Sequence, residues 1–326
     1  MTYYIGIDLG GTNIKAGIVD LEAGKVVASH STPTLAREGH DAVMARMADL
    51  IEKSLAANKL DKTVIGGVGV TAPGVLDLEK GTTLFLPNLP GTWPNVPLTA
   101  TIQAKTGFPV FLLNDVRAIT YGEWKFGAGR GVETMACFAV GTGIGGGLVI
   151  NGKLHLGIGG TAGELGHQTI DFNGPECGCG NRGCVEVYAS GPAIAAMGVK
   201  AVIQGRTTIL GEMVGYDLNK ITPELICEAA RKGDAESIEI YNFAGMCLGV
   251  AVANVLVSVG PRKVVIAGGV AAAGDLLLAP LRRTIHERVT VMPADQVEVV
   301  QARLGSKAGV MGVALWAAEN LRKAGS

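Results

Sequence analysis

His167, Cys177, Cys179 and Cys184 gather in one stretch rich in glycine, asparagine and proline. Three thiolates and an imidazole suit tetrahedral zinc, and four protein ligands make a closed, structural site. Unrelated loop thiols are the plain alternative. However, Cys177-Gly178-Cys179-Gly180-Asn181-Arg182-Gly183-Cys184 lets the backbone fold round an ion. With no open position, such a zinc braces the loop and does not activate water. Cys137, Cys227 and Cys247 lie in apolar segments and read as buried thiols. His30, His40, His155 and His286 have no comparable neighbours and read as surface or packing residues.

A second chemistry lies in the glycine turns. Asp8-Leu9-Gly10-Gly11-Thr12-Asn13-Ile14-Lys15 places small residues at a hairpin tip, where bare N–H groups and a threonine hydroxyl can meet phosphate oxygens. Gly141-Thr142-Gly143-Ile144-Gly145-Gly146-Gly147 repeats the arrangement. Neither is followed by Gly-Lys-Ser/Thr, and neither opens a helix, so neither is a P-loop or a dinucleotide fingerprint. Tight hairpins alone would explain one such loop; two heading similar series point to nucleotide phosphates. Asp8 could orient a magnesium ion through water, or simply brace its turn.

Among the carboxylates, Asp115 follows Asn114 at the carboxyl end of a predicted strand, where α/β folds place ligand chemistry. A carboxylate there can take a proton from a substrate hydroxyl as that oxygen attacks phosphorus. Asn and Asp are also common helix N-caps, and helical residues follow. Glu164 and Glu186 flank the cysteine loop. A metal that fixed the loop would fix both acids as acceptors for sugar hydroxyls.

The elements that position these residues form two similar series. Tyr3–Leu9 reads as a buried strand, followed by strands at Ile14–Val19 and Val26–Ser29, a helix over Glu38–Asn58 and a strand over Thr63–Val70. Pro73–Pro97 reads as a functional loop. Val110–Leu113 is a strand leading into a helix to Phe126, and Gly127–Gly131 reads as a hinge. The second series opens with strands at Thr134–Val140 and Gly145–Ile150. A long helix over Ala235–Ser258, stopped by Gly260-Pro261, precedes the strand Lys263–Ala267 with Gly268-Gly269, and a final helix covers Lys307–Arg322. Strand, glycine turn and strand, occurring twice, predict a duplicated α/β unit.

Composition narrows the function classes. The chain has 326 residues, 48 of them glycine, with 48 % hydrophobic and 17 % charged residues, which predicts a folded protein. The balance 28 − 29 = −1 gives no general attraction to nucleic acid or to an anionic membrane. The N-terminus lacks the features of a secretory signal, and the apolar stretch Met246–Val259 is shorter than the ~20 residues of a spanning helix. With few cysteines outside the loop, a cytoplasmic protein is the expectation.

The quoted motifs, with Pro73-Gly74, Pro87-Asn88, Gly163-Glu164-Leu165-Gly166-His167 and Ala267-Gly268-Gly269, resemble those of the ROK (repressor, open reading frame, kinase) sugar kinases from the first strand to about Gly269. The resemblance implies an actin-like (ribonuclease H-like) duplicated two-lobed ATPase fold in which ATP and sugar meet in a central cleft. It implies an N-terminal lobe over 1–116, joined by the C-terminal helix at about 307–326, and a larger lobe over 117–306. Asp115 is then the general base. Gly74, Asn88, Asn114, Glu164, His167 and Glu186 become sugar ligands, His167 serving zinc through its other ring nitrogen. Asp8, Gly10, Gly11, Thr12, Asn13, Lys15, Gly141, Thr142 and Gly143 become the Mg-ATP phosphate side, and Gly268 and Gly269 the adenosine side. Glutamate at 164 resembles the glucokinase pattern, whereas histidine is frequent in amino-sugar kinases. Val116-Arg117 departs from the small residues or Asn usual there.

The expected reaction is therefore transfer from ATP to glucose, with mannose, fructose and N-acetylmannosamine as alternatives. The expected partners are a hexose and ATP, without nucleic acid or membrane, in a homodimer or homotetramer. Repressors of the family carry a DNA-binding winged helix ahead of the sugar domain; with the first strand at Tyr3 the kinase is the expectation.

Overall fold

The computed structural model describes residues 2–324, and the chain falls into two units. The first holds the described residues up to Arg130, Leu154–Ala162 and those from Arg303 onward; the second holds Gly131–Lys153 and Gly163–Ala302. Residues 1, 325 and 326, included in the expected lobe ranges, lie outside the described residues.

In the first unit β1 (Tyr3–Leu9), β2 (Asn13–Asp20) and β3 (Lys25–Pro33) make an antiparallel meander. Helix α1 (His40–Ala57) leads to β4 (Ile65–Ala72), parallel to β1. The Pro73–Pro97 excursion, predicted as loop, contains a hairpin of β5 (Val75–Asp77) and β6 (Thr82–Phe85). Then come α2 (Leu98–Thr106), β7 (Val110–Asn114), parallel to β4, and α3 (Asp115–Phe126). The sheet order is β3-β2-β1-β4-β7. Ile5, Ile7, Val68 and Val70 from the sheet bury Val43, Met44, Met47 and Ile51, the apolar stripe of α1.

The second unit contains β8 (Met135–Val140), β9 (Ile144–Ile150) and β10 (Lys153–Leu154). Helices α4 (Glu186–Ala189), α5 (Gly191–Ile203), α6 (Leu210–Met213), α7 (Pro223–Arg231) and α8 (Ala235–Val259) follow. Strand β11 (Lys263–Ala267), α9 (Asp275–Arg288) and β12 (Glu298–Gln301) complete it. The sheet order is β10-β9-β8-β11-β12, with β8 antiparallel to β9 and parallel to β11, which is parallel to β12. The directions repeat those of β1, β2, β4 and β7, so the duplication expected from the sequence is present in the sheets themselves.

Helix α8 is longer than the apolar stretch read from the sequence, and by length and composition alone it could cross a bilayer. Here it is a core helix of its unit. Leu248, Val252 and Leu256 pack with Phe138 and Ile266, and a Cβ at Gly245 would strike the Leu277 carbonyl of α9.

The chain ends in α10 (Ala308–Ala324), which lies against the first sheet. A Cβ at Gly6 would collide with the Val310 carbonyl, and one at Gly69 with the Val313 carbonyl, so bare strand positions let the helix backbone settle on the sheet. Helix α3 packs on α10 through Gly122 against Ala308 and Gly312 against Ala118. With that packing α3 belongs to the first unit, which runs on to Arg130, beyond the residue 116 expected for the N-terminal lobe.

Candidate active site

The first unit gathers its candidate residues at the C-terminal ends of β1, β4 and β7. Asp8 is half-buried in β1, and its Oδ1 accepts the Thr71 hydroxyl at 2.7 Å. The turn after it is closed by Gly10 N–H to Asn13 O at 3.1 Å and braced by the Thr34 hydroxyl on Gly10 O at 2.6 Å. Gly11, Thr12 and Asn13 are exposed at the tip, Lys15 is half-buried in β2, and Asn88 O lies 3.6 Å from where a Gly11 Cβ would stand. Thr71 is a bracing residue that the sequence reading did not single out; its position in the strand carries no local signal.

Asn114 is the buried N-cap of α3. Its Oδ1 accepts the N–H groups of Val116 at 3.0 Å and Arg117 at 3.3 Å, and its Nδ2 donates to Gly74 O at 3.2 Å. Gly74 has a φ of 83°, and a Cβ there would overlap the Phe85 carbonyl. Asp115, the first residue of α3, is half-buried with Oδ1 2.8 Å from the Val116 N–H. The Asn114 cap thus ties the start of α3, which carries Asp115, to the Gly74 turn.

The second unit gathers the rest. Gly141 N–H donates to Gly143 O at 2.8 Å, closing the turn between β8 and β9. Gly268, with φ of 89°, backs onto the Val140 carbonyl, which sets Gly268-Gly269 beside Gly141. Glu186 at the start of α4 accepts the Ile144 N–H at 2.8 Å, and its other oxygen lies 3.7 Å from Cys177 Sγ. This carboxylate therefore joins the glycine turn to the cysteine loop. Gly163 and Gly166 press against the backbone of β9, and Leu165 is buried on Gly146. Those contacts hold Glu164, which is exposed, and His167, which is half-buried, against β9.

One ligand atom each from His167, Cys177, Cys179 and Cys184 lies within 4.8 Å of every other. Thiolates bound to tetrahedral zinc at ~2.3 Å stand ~3.8 Å apart, and Cys179 Sγ and Cys184 Sγ are 3.8 Å apart. His167 Nδ1 is 3.7 Å from Cys177 Sγ, so Nδ1 faces the cluster. All three cysteines are free thiols. Burial pushes the Cys177 thiol up and that of Cys184 up to about 12, while the Asn181 N–H lowers Cys179. A trio with two raised thiols ionises together only with a cation among them, so the donor set fits zinc.

Two sheets of one topology, each with a glycine turn after its first strand, define a protein of the actin-like ATPase class. The ROK family pattern matches residues 4–320. The chain belongs to the ROK family. Curated relatives include glucokinases of Thermotoga maritima, 37 % identical over 95 % of both chains, and of Halalkalibacterium halodurans, 34 % identical over 95 % of this chain and 93 % of that one. A ROK family glucokinase from Streptomyces griseus, solved with glucose and AMPPNP, superposes with a TM-score of 0.82 at 31 % identity, covering 97 % of this chain and 99 % of that one. A xylose repressor of Caldicellulosiruptor bescii is 33 % identical over 94 % of this chain and 76 % of its own length.

Proposed function

We propose that this chain is an ATP-dependent glucose kinase of the cytoplasm that forms glucose 6-phosphate. The observation that carries this reading is the chain-wide likeness to the Streptomyces griseus enzyme, which holds glucose and an ATP analogue. Asp115, held at the start of α3 by the Val116 N–H, is the general base: it takes the proton of the sugar hydroxyl as that oxygen attacks the γ-phosphorus in line. Asn114, Gly74, Asn88, Glu164, His167 and Glu186 bind the sugar. Nε2 of His167 serves the sugar, since Nδ1 is turned to the thiols. Gly10 and Gly141 close their turns with their own N–H groups, so that Gly11, Thr12 and Asn13, and likewise Thr142 and Gly143, are turned to the phosphates, Lys15 adds a positive charge, and Gly268 and Gly269 leave room for adenosine.

Magnesium bound with ATP would neutralise phosphate charge, and Asp8, braced by Thr71, is the residue that would hold it through water. His167, Cys177, Cys179 and Cys184 would hold structural zinc, keeping Glu186 and His167 in place for the sugar. Phe243, Met246 and Val257 form an exposed apolar stripe on α8, which suits a homodimer or homotetramer.

A coupled assay of ADP release with ATP over glucose, mannose, fructose, N-acetylmannosamine and N-acetylglucosamine tests the reading. Glucose should give the highest kcat/KM. A higher value for N-acetylmannosamine would reassign the substrate. No turnover with any sugar, alongside sugar binding, would favour a sensor like the xylose repressor.

A further inference from the structure

We propose that Arg117 is a positioning residue for the sugar side of phosphoryl transfer. It stands two residues after Asp115 in the first turn of α3 and is 2 % exposed. Its guanidinium donates from Nη1 to Asn114 Oδ1 at 3.1 Å, from Nε to Ala162 O at 3.1 Å and from Nη2 to Thr161 O at 2.9 Å. Asn114 in turn donates to Gly74 O. One planar fork therefore ties three chain segments together: the Gly74 turn, the cap that carries Asp115, and Thr161-Ala162, which run directly into Gly163-Glu164.

The third segment needs such an anchor. Gly157, Gly159 and Gly160 have positive φ, Ile158 is almost fully exposed, and among the described residues, 157–162 form neither strand nor α-helix. Its backbone bonds are local, Thr161 N–H to Ile158 O and Ala162 N–H to Leu156 O. Two successive carbonyls bound by Nε and Nη2 fix its direction, a geometry that a lysine ammonium cannot reproduce. Arg117 acts through Asn114 on the base and through Ala162 on the acid that follows.

The proposal rests on the kinase reading, so wild-type turnover of glucose is measured first; without it, that reading fails and not this one. In Arg117→Met the glucose KM should rise and kcat fall, each about tenfold or more, with the ATP KM within about twofold. Arg117→Lys, which keeps the charge but loses the fork, should show the same split to a smaller degree. Far-UV circular dichroism and a thermal melt report the folded fraction. A folded Arg117→Met with unchanged glucose KM overturns the proposal, as does an equal shift in both KM values. If Arg117→Met does not fold, Arg117→Lys decides: wild-type glucose KM and kcat would leave Arg117 a purely structural buried charge.

Discussion

Glu123, fully buried in α3, accepts the backbone N–H of Arg303 at 3.0 Å, although 180 residues separate the two. The same carboxylate takes the N–H groups of Leu304 at 2.7 Å and Ala128 at 2.8 Å. Ala128 lies just before the chain first leaves the first unit, and Arg303 is where it returns for the last time. One buried acid therefore satisfies backbone donors near the first and the last of the chain's passages between the units.

Removing that acid should be costly. Glu123→Ala leaves the amides of Ala128, Arg303 and Leu304 without their acceptor, a loss of about 3 kcal/mol or more; Glu123→Gln keeps one acceptor and should cost about half as much. Urea midpoints at constant slope measure both. A cost below about 1 kcal/mol for the alanine variant would show that water or a shifted backbone replaces the carboxylate.

Asp115→Asn tests the base. The substitution preserves size and the acceptor for the Val116 N–H, but an amide cannot take the proton of the attacking hydroxyl. The expected result is a kcat lower by about 10²–10⁴ with glucose binding within a fewfold of wild type, read by single-turnover kinetics and titration. Near-normal kcat would remove Asp115 from the role.

What was legible beforehand depends on separation along the chain. The cysteine–histidine cluster could be read because three of its members share one short loop, and the duplication because strand, glycine turn and strand are local patterns. Asn114-Asp115 was legible as cap or as site, and the structure makes Asn114 the cap in fact. The partners of Arg117 and Glu123 lie 45 and 180 residues away. No periodicity signals such contacts. The glycines at 6, 69, 122 and 312 had no address in the sequence either, because their purpose is set by α10 arriving from the far end of the chain. The place of α3 in the first unit, beyond the expected boundary at residue 116, is set by the same distant helix.

The cysteine loop predicts a metal dependence. Purified protein should carry stoichiometric zinc, measured by plasma mass spectrometry, and Cys179→Ser should lose most of it. Because Glu186 lies against both Cys177 and the Ile144 N–H, metal loss should raise the glucose KM by about tenfold or more as well as lowering thermal stability. Full activity in protein shown to be zinc-free would overturn the assignment.

Asp234 caps α8: burial raises its pKa, but hydrogen bonds from the Ser237 hydroxyl, the Ile209 N–H and the Thr208 hydroxyl outweigh burial and hold it below the usual 3.8. A group whose pKa is lower in the folded than in the unfolded chain stabilises the fold above its unfolded pKa, and that contribution is lost as pH falls through the folded value. Asp234→Asn keeps a capping oxygen but no charge, so it should cost about 1 kcal/mol at pH 7. The gap to wild type should then narrow on acidification from about pH 5 to about pH 3, because only the wild type has this stabilisation to lose. Urea midpoints across that range give the comparison. A gap that stays constant or widens towards low pH would mean that the Asp234 charge does not stabilise the cap.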